Sequence, residues 1–266
     1  MPPTMQDPTL AADAHPVLSG LFLASLVAYT VAVAVALARP PVGRWLVAAG
    51  ALLHTVMTVG RGIEVAWFPL NNKLESFSGA ALAMAWVAVF TWRPSRVWVA
   101  AMGAPLLGLI WAAWTFPLDL RAPIPVLVTI WYPLHVPLSF AAYALWTAAA
   151  AAGIAWAAPG SARRDPGLLL RVDRWALQGF GLWSVSMIFG GIWGVVAWGA
   201  WFLWDPKVIW SVILWFHYAS FIHLRLTPSL RTRPWVRPAL AVVGFLWVFV
   251  AYVGTSFFFG GSSHAF

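Results

Sequence analysis

The chain has 266 residues, of which 62% are hydrophobic and only 9% charged. An ordinary soluble domain carries about 25% charged residues, so this composition excludes most soluble folds. The net charge of +8 raises nucleic acid as a partner, but a nucleic-acid surface needs an exposed basic domain, and here the charges only punctuate apolar runs. With no Cys there is no disulfide framework, no thiolate metal site and no thiol nucleophile.

From the N-terminus, residues 1–16 hold Asp7 and Asp13 and no Lys or Arg, so they lack the positive region of a cleaved signal peptide. Eight apolar stretches follow, at 17–38, 44–60, 76–92, 97–115, 128–157, 175–197, 207–226 and 239–260. Several reach the roughly 20 residues that a membrane-spanning helix needs. Their apolar residues are continuous, whereas barrel strands alternate with a period of two, and a helix satisfies its own backbone in hydrocarbon. The expected fold is an all-α polytopic membrane protein with about eight transmembrane helices. Residues 1–266 read as one domain, with no internal repeat or long linker.

Arginine placement sets the expected orientation. Arg39 and Arg44, Arg93 and Arg96, Arg163, Arg164, Arg171 and Arg174, and Arg225, Arg231, Arg233 and Arg237 fall in alternate connections, twelve of the sixteen Lys and Arg residues. The other side holds Arg61, Lys73, Arg121 and Lys207 with six of the eight acidic residues. Positive charge stays inside, so the arginine-rich side is expected to be cytoplasmic and both termini extracytoplasmic.

Polar groups within or beside spans are the candidates for function, since each is costly without a partner. His54 lies mid-span in the second stretch; a buried imidazole bonded to a neighbouring helix would explain it. His135 lies in Trp131-Tyr132-Pro133-Leu134-His135-Val136-Pro137, where two prolines argue for a loop or an irregular helix entry. Trp198, Trp201 and Trp204 recur every three residues, so in a helical or 3₁₀-like turn they would share one side and offer an apolar shelf for a flat macrocycle. Interfacial tryptophan belts are the ordinary alternative. Asp205 is expected to cap the following helix, and Lys207 could meet a carboxylate. His217 and His223 are six residues apart, about 240° around a helix, and face different ways. His223 is sixteen residues past Lys207, about 24 Å deeper, too far to share a metal with His135. His264 follows Gly260-Gly261-Ser262-Ser263, beyond the last stretch. Two outer histidines, His135 and His264, could hold one metal or one haem iron between them.

The run Trp198-Gly199-Ala200-Trp201-Phe202-Leu203-Trp204-Asp205-Pro206-Lys207, with Trp210, Trp215, Tyr218 and His223-Leu224-Arg225, closely resembles the tryptophan-rich WWD segment of the haem-handling proteins of cytochrome c maturation. That segment occupies 193–215 here. Arg61-Gly62-Ile63-Glu64, Phe68-Pro69-Leu70-Asn71-Asn72-Lys73-Leu74-Glu75-Ser76 and the tail Gly261-Ser262-Ser263-His264 are similar to the CcsA/ResC branch. Trp67 stands where the family often has His, and Val208-Ile209 where it has Glu-Thr, which makes this a divergent member.

The resemblance implies haem b as ligand and substrate. His135 and His264 would be its extracytoplasmic iron ligands, with Trp198, Trp201, Trp204 and Asp205 forming the porphyrin surface. His223 would ligate iron at an inner site whose second ligand comes from a partner, and His54, matching the family's His-Thr pair, is a further candidate haem contact. Arg61 and Lys73, on the outer side, are candidates for the haem propionates, with surface anchoring the alternative. The implied function is haem transport across a bacterial-type cytoplasmic or thylakoid-like membrane and presentation to the Cys-x-x-Cys-His segment of apocytochrome c. A CcsB/ResB-type membrane subunit is the implied partner, as part of a cytochrome c synthetase; no nucleic acid is involved. The rivals are a haem-exporter subunit handing haem to a chaperone, a b-type electron-transfer cytochrome, and a permease without haem.

Overall fold

The computed structural model describes residues 15–159, 165–224 and 227–258. Each apolar stretch forms a helix: α1 (Pro16–Ala38), α2 (Pro40–Glu64), α3 (Lys73–Thr91), α4 (Arg96–Trp114), α5 (Trp131–Ala157), α6 (Pro166–Trp198) and α7 (Pro206–His223). A one-turn α8 (Pro228–Arg231) precedes α9 (Val236–Phe249), which continues through a π-helical turn (Val250–Gly254) into α10 (Thr255–Phe258). No β-strand forms among the described residues.

Seven helical segments are long and apolar enough to cross a membrane: α1 to α6, and Val236–Phe257. The seventh expected stretch, 207–226, forms α7, a helix of 18 residues that falls short of that measure. Lys207, Ser211, His217, Ser220 and His223 dilute its apolar content, although it packs against α6 and α9 like the others.

The local sequence explains the helix ends. Asp165 accepts the Gly167 N–H and Pro166 opens α6, so this helix starts nine residues ahead of its apolar stretch. At 33 residues it extends about 50 Å, longer than the roughly 30 Å hydrocarbon core. Gly199 closes it in the left-handed region at φ 71°, where glycine carries no Cβ penalty. The segment around His135 is the entry to α5, the helical of the two expected alternatives, and not a loop. Pro133 sits in the first turn of α5, where no N–H is needed, and Pro137 breaks only one backbone bond within a well-packed helix.

Helix α5 is central, touching α3, α4, α6 and α9. Its run Ala148–Ala152 is buried throughout, and small side chains of this kind let helices approach closely. Hydrogen bonds fix the two ends of the bundle. At the arginine-rich end, Trp92 Nε1 donates to the Pro40 carbonyl, Arg93 pairs with Asp165 and Arg237 pairs with Asp173. At the opposite end, Arg61 reaches Leu118 and Asp119, Tyr132 donates to the Leu70 carbonyl and Trp193 to that of Val126. His15 lies 4.0 Å from Glu64, and Phe257 stacks near Phe77 and Phe116. Both ends of the described chain therefore lie at this second end.

Candidate functional site

A cavity of about 220 Å³ opens at the second end, enclosed by α3, α5, α6, α7 and the π-helical turn. Its wall includes His135, Trp193, Trp201, Phe202, Lys73, Lys207 and Tyr252. Of the residues singled out from the sequence, His135 and Trp201 meet here with Lys73 and Lys207, from four separate segments.

His135 is held by α6. Its Nδ1 lies 2.8 Å from the Ser186 carbonyl oxygen, which can only accept, so Nδ1 carries the proton and Nε2 the lone pair that ligates metals. Ser186 Oγ lies 3.0 Å from the same nitrogen and donates to the His135 carbonyl, and Ser139 bonds to Ser186 at 2.7 Å. Both serines are buried. The imidazole stacks against Trp193 at 6.2 Å, and Trp193 in turn packs on Tyr132 and Trp198.

Two adjacent glycines make room for the two walls. A Cβ on Gly190 would lie 2.8 Å from the His135 ring, and one on Gly191 would lie 2.6 Å from the Trp201 indole. The Gly-Gly pair in α6 is thus the recess into which the imidazole and the indole fit. Nothing in the sequence reading singles it out, although small residues within a span signal close approach.

The three tryptophans do not share one side. Trp198 ends α6, Gly199 turns the chain, and residues 200–204 are not helical, so the three-residue spacing has no helical meaning beyond Gly199. Trp198 packs behind Trp193, Trp201 lies over Gly191 in the cavity wall, and Trp204, 87% exposed, meets Phe202 edge-on. Phe202 takes the place in the wall that the spacing assigned to Trp198 and Trp204. Asp205 caps α7 as its sequence suggests, accepting the Lys207 N–H at 2.8 Å.

The remaining candidates lie elsewhere. His54 is fully buried, with Nδ1 3.2 Å from Tyr29 Oη and Nε2 2.6 Å from Ser78 Oγ; both ring nitrogens are spent in joining α1, α2 and α3. Arg61 is 3% exposed and inaccessible to an outside carboxylate. It pairs with Glu75 at 2.9 Å and donates to the Leu118 and Asp119 carbonyls. His217 Nε2 donates to the Leu240 carbonyl. His223 is exposed at the far end of α7, and its Nδ1 donates to the Ala219 carbonyl at 2.7 Å. His264 lies outside the described residues. Tyr252 has no sequence signal of its own: the π-helical turn carries it to Ser76, with which it shares a 2.9 Å hydrogen bond, and to Phe77, Phe140 and Tyr143.

Comparison with known proteins gives this geometry its context. The family described as "Cytochrome C assembly protein" matches residues 72–261. "Cytochrome c biogenesis protein CcsA" of Synechococcus sp. (strain CC9902) is 32% identical over 260 residues, 82% of this chain and 84% of the relative. Its counterpart in Synechococcus sp. (strain RCC307) is 29% identical over 252 residues, 79% of this chain and 80% of the relative. Among solved structures, "Cytochrome c Heme Lyase CcmF" superposes with a TM-score of 0.67 at 16% identity. That match covers 93% of this chain and 48% of the other, a likeness of fold.

Proposed function

Because the chain belongs to the cytochrome c assembly protein family, with CcsA-type cytochrome c biogenesis proteins among its relatives, we propose that it carries haem across the membrane and presents it to apocytochrome c in the cavity beside His135. The arginine-rich end faces the cytoplasm by the positive-inside rule, and the cavity opens on the extracytoplasmic side of a bacterial-type cytoplasmic or thylakoid-like membrane. Haem is the substrate. His223, exposed at the cytoplasmic end with Nδ1 turned to the Ala219 carbonyl, offers the entry ligand, and a CcsB/ResB-type subunit supplies the other.

The observation that carries the reading is the imidazole of His135, fixed in one tautomer by the Ser186 carbonyl and set in an aromatic cavity wall. A ligating histidine is regularly oriented by such a bond from its other nitrogen. His264 supplies the second outer ligand. Trp201 and Phe202 bear on the porphyrin, while Trp198 supports the wall through Trp193. The bond-forming step is addition of the two thiols of a Cys-x-x-Cys-His segment across the haem vinyl groups. This chain contributes position and orientation, which lower the barrier by supplying the entropy of alignment in advance, and the lack of Cys leaves the substrate's thiols without competitors.

Purified with its partner subunit, the protein is expected to show a haem absorption spectrum that shifts or disappears in His135→Ala, together with loss of cytochrome maturation. Added imidazole is expected to restore part of the spectrum in His135→Gly. Unchanged haem content, spectrum and maturation in His135→Ala would refute the assignment.

A further inference from the structure

Two cationic side chains line the cavity, and neither forms an ion pair among the described residues. Lys73 comes from the first turn of α3 and Lys207 from the first turn of α7. Among the described residues Arg61, Arg93, Arg121 and Arg237 each have a carboxylate partner, but no described carboxylate lies within ion-pair distance of either lysine ammonium. The neighbouring polar groups are otherwise engaged: Glu75 by Arg61 and the Asn71 N–H, Asp205 and Asn72 by the backbone turns they cap. What the ammoniums meet is aromatic, the Phe116 ring 6.0 Å from Lys73 Nζ and the Tyr252 ring 6.0 Å from Lys207 Nζ. A ring face attracts a cation but accepts none of its three hydrogen bonds in the ordinary sense.

Two like charges in one half-buried, largely aromatic space repel one another, and each loses hydration; the nearby charge of Asp205 favours Lys207 but does not outweigh that loss. A ligand with two negative groups would remove both penalties at once. Resting on the haem reading above, we propose that Lys73 and Lys207 form a two-point carboxylate clamp, so that the cavity selects a metalloporphyrin with free propionates over the same macrocycle with its propionates esterified. The ligand is then held at two kinds of site, its metal by the imidazole of His135 and its carboxylates by the lysines. Orientation follows, because the propionates occupy one edge of the macrocycle and the vinyl groups lie away from it. Each lysine is a binding residue for substrate, and together they set which edge faces the thiols.

The test is a titration of the full-length purified protein with haem and with haem dimethyl ester. The native chain is expected to bind haem at least about tenfold more tightly than the diester, since a hydrogen bond to a charged group is worth roughly tenfold or more in affinity. Lys73→Met and Lys207→Met keep the aliphatic stems; each is expected to bring haem affinity towards that of the diester while leaving diester binding unchanged. Equal affinities for the two ligands in the native chain overturn the clamp without needing any variant to fold. So does a loss in the variants that is the same for both ligands. If the native chain binds neither ligand, the haem reading itself falls, and the clamp with it.

Discussion

The position of His135 depends on residues that never touch a ligand. Gly190 leaves the space into which the imidazole settles against α6, since a Cβ there would lie 2.8 Å from Cε1 and Nδ1 of the ring. Gly190→Ala is therefore expected to lower haem affinity by about tenfold, the lower end of what disturbing the support of a metal ligand costs. Gly181, in the same helix, has nothing within 4 Å of where a methyl group would sit and is the control: Gly181→Ala is expected to bind haem as the native chain does. Equal haem retention in the two variants would show that the recess does not matter. His54 gives the opposite expectation. Its two hydrogen bonds to Tyr29 and Ser78 make it a joint between helices, so His54→Leu is expected to lower thermal stability, by about 1–3 kcal/mol for the polar groups left unpartnered, and to leave the haem spectrum unchanged. A spectral change in a still-folded His54→Leu would bring this residue back as a haem contact.

Between elements, the tie that holds the cavity's α3 wall is the buried Arg61–Glu75 pair. The guanidinium joins the end of α2 to the start of α3 and, through the Leu118 and Asp119 carbonyls, to the α4–α5 connection. The other Glu75 oxygen accepts the Asn71 N–H at 2.7 Å, next to the turn from which Lys73 projects. Removing one partner of such a pair strands a buried charge, so Arg61→Met is expected to destabilise the protein by about 3–5 kcal/mol. Adding Glu75→Gln is expected to recover part of that, measured by thermal unfolding in detergent. A loss below about 1 kcal/mol would mean that the pair holds nothing together. The helices themselves are legible in the sequence, because continuous apolar runs have few alternatives in hydrocarbon. Even the early start of α6 carries its signal in Asp165-Pro166. The tryptophan row misleads for a physical reason: its three-residue spacing has meaning only in a helix, and Gly199 ends the helix at Trp198. Tyr252 is not legible, since a π-helical turn shifts the register of side chains without any composition to announce it.

Across the whole molecule, the buried core is mostly apolar, and the cavity brings polar side chains together at one end of it. His135, Trp201, Lys73 and Lys207 stand on four segments far apart in sequence, and the bundle brings them to one cavity at the end poor in arginine. Residue type and family resemblance point to the first two. They also put Arg61 beside Lys73 as a second candidate for propionates, where the fold buries Arg61 and brings Lys207 to the cavity wall with Lys73. Such a pairing depends on how α3 and α7 pack around α5 and α6, which no local pattern records. The same bundle keeps His223 at the end of α7 opposite the cavity. The most direct measurement is a cryo-EM map of the haem-loaded protein with its partner subunit. The iron is expected within bonding distance of His135 Nε2, with the macrocycle against Trp201 and Phe202. Haem density elsewhere in the protein, with the His135 cavity empty, would contradict it.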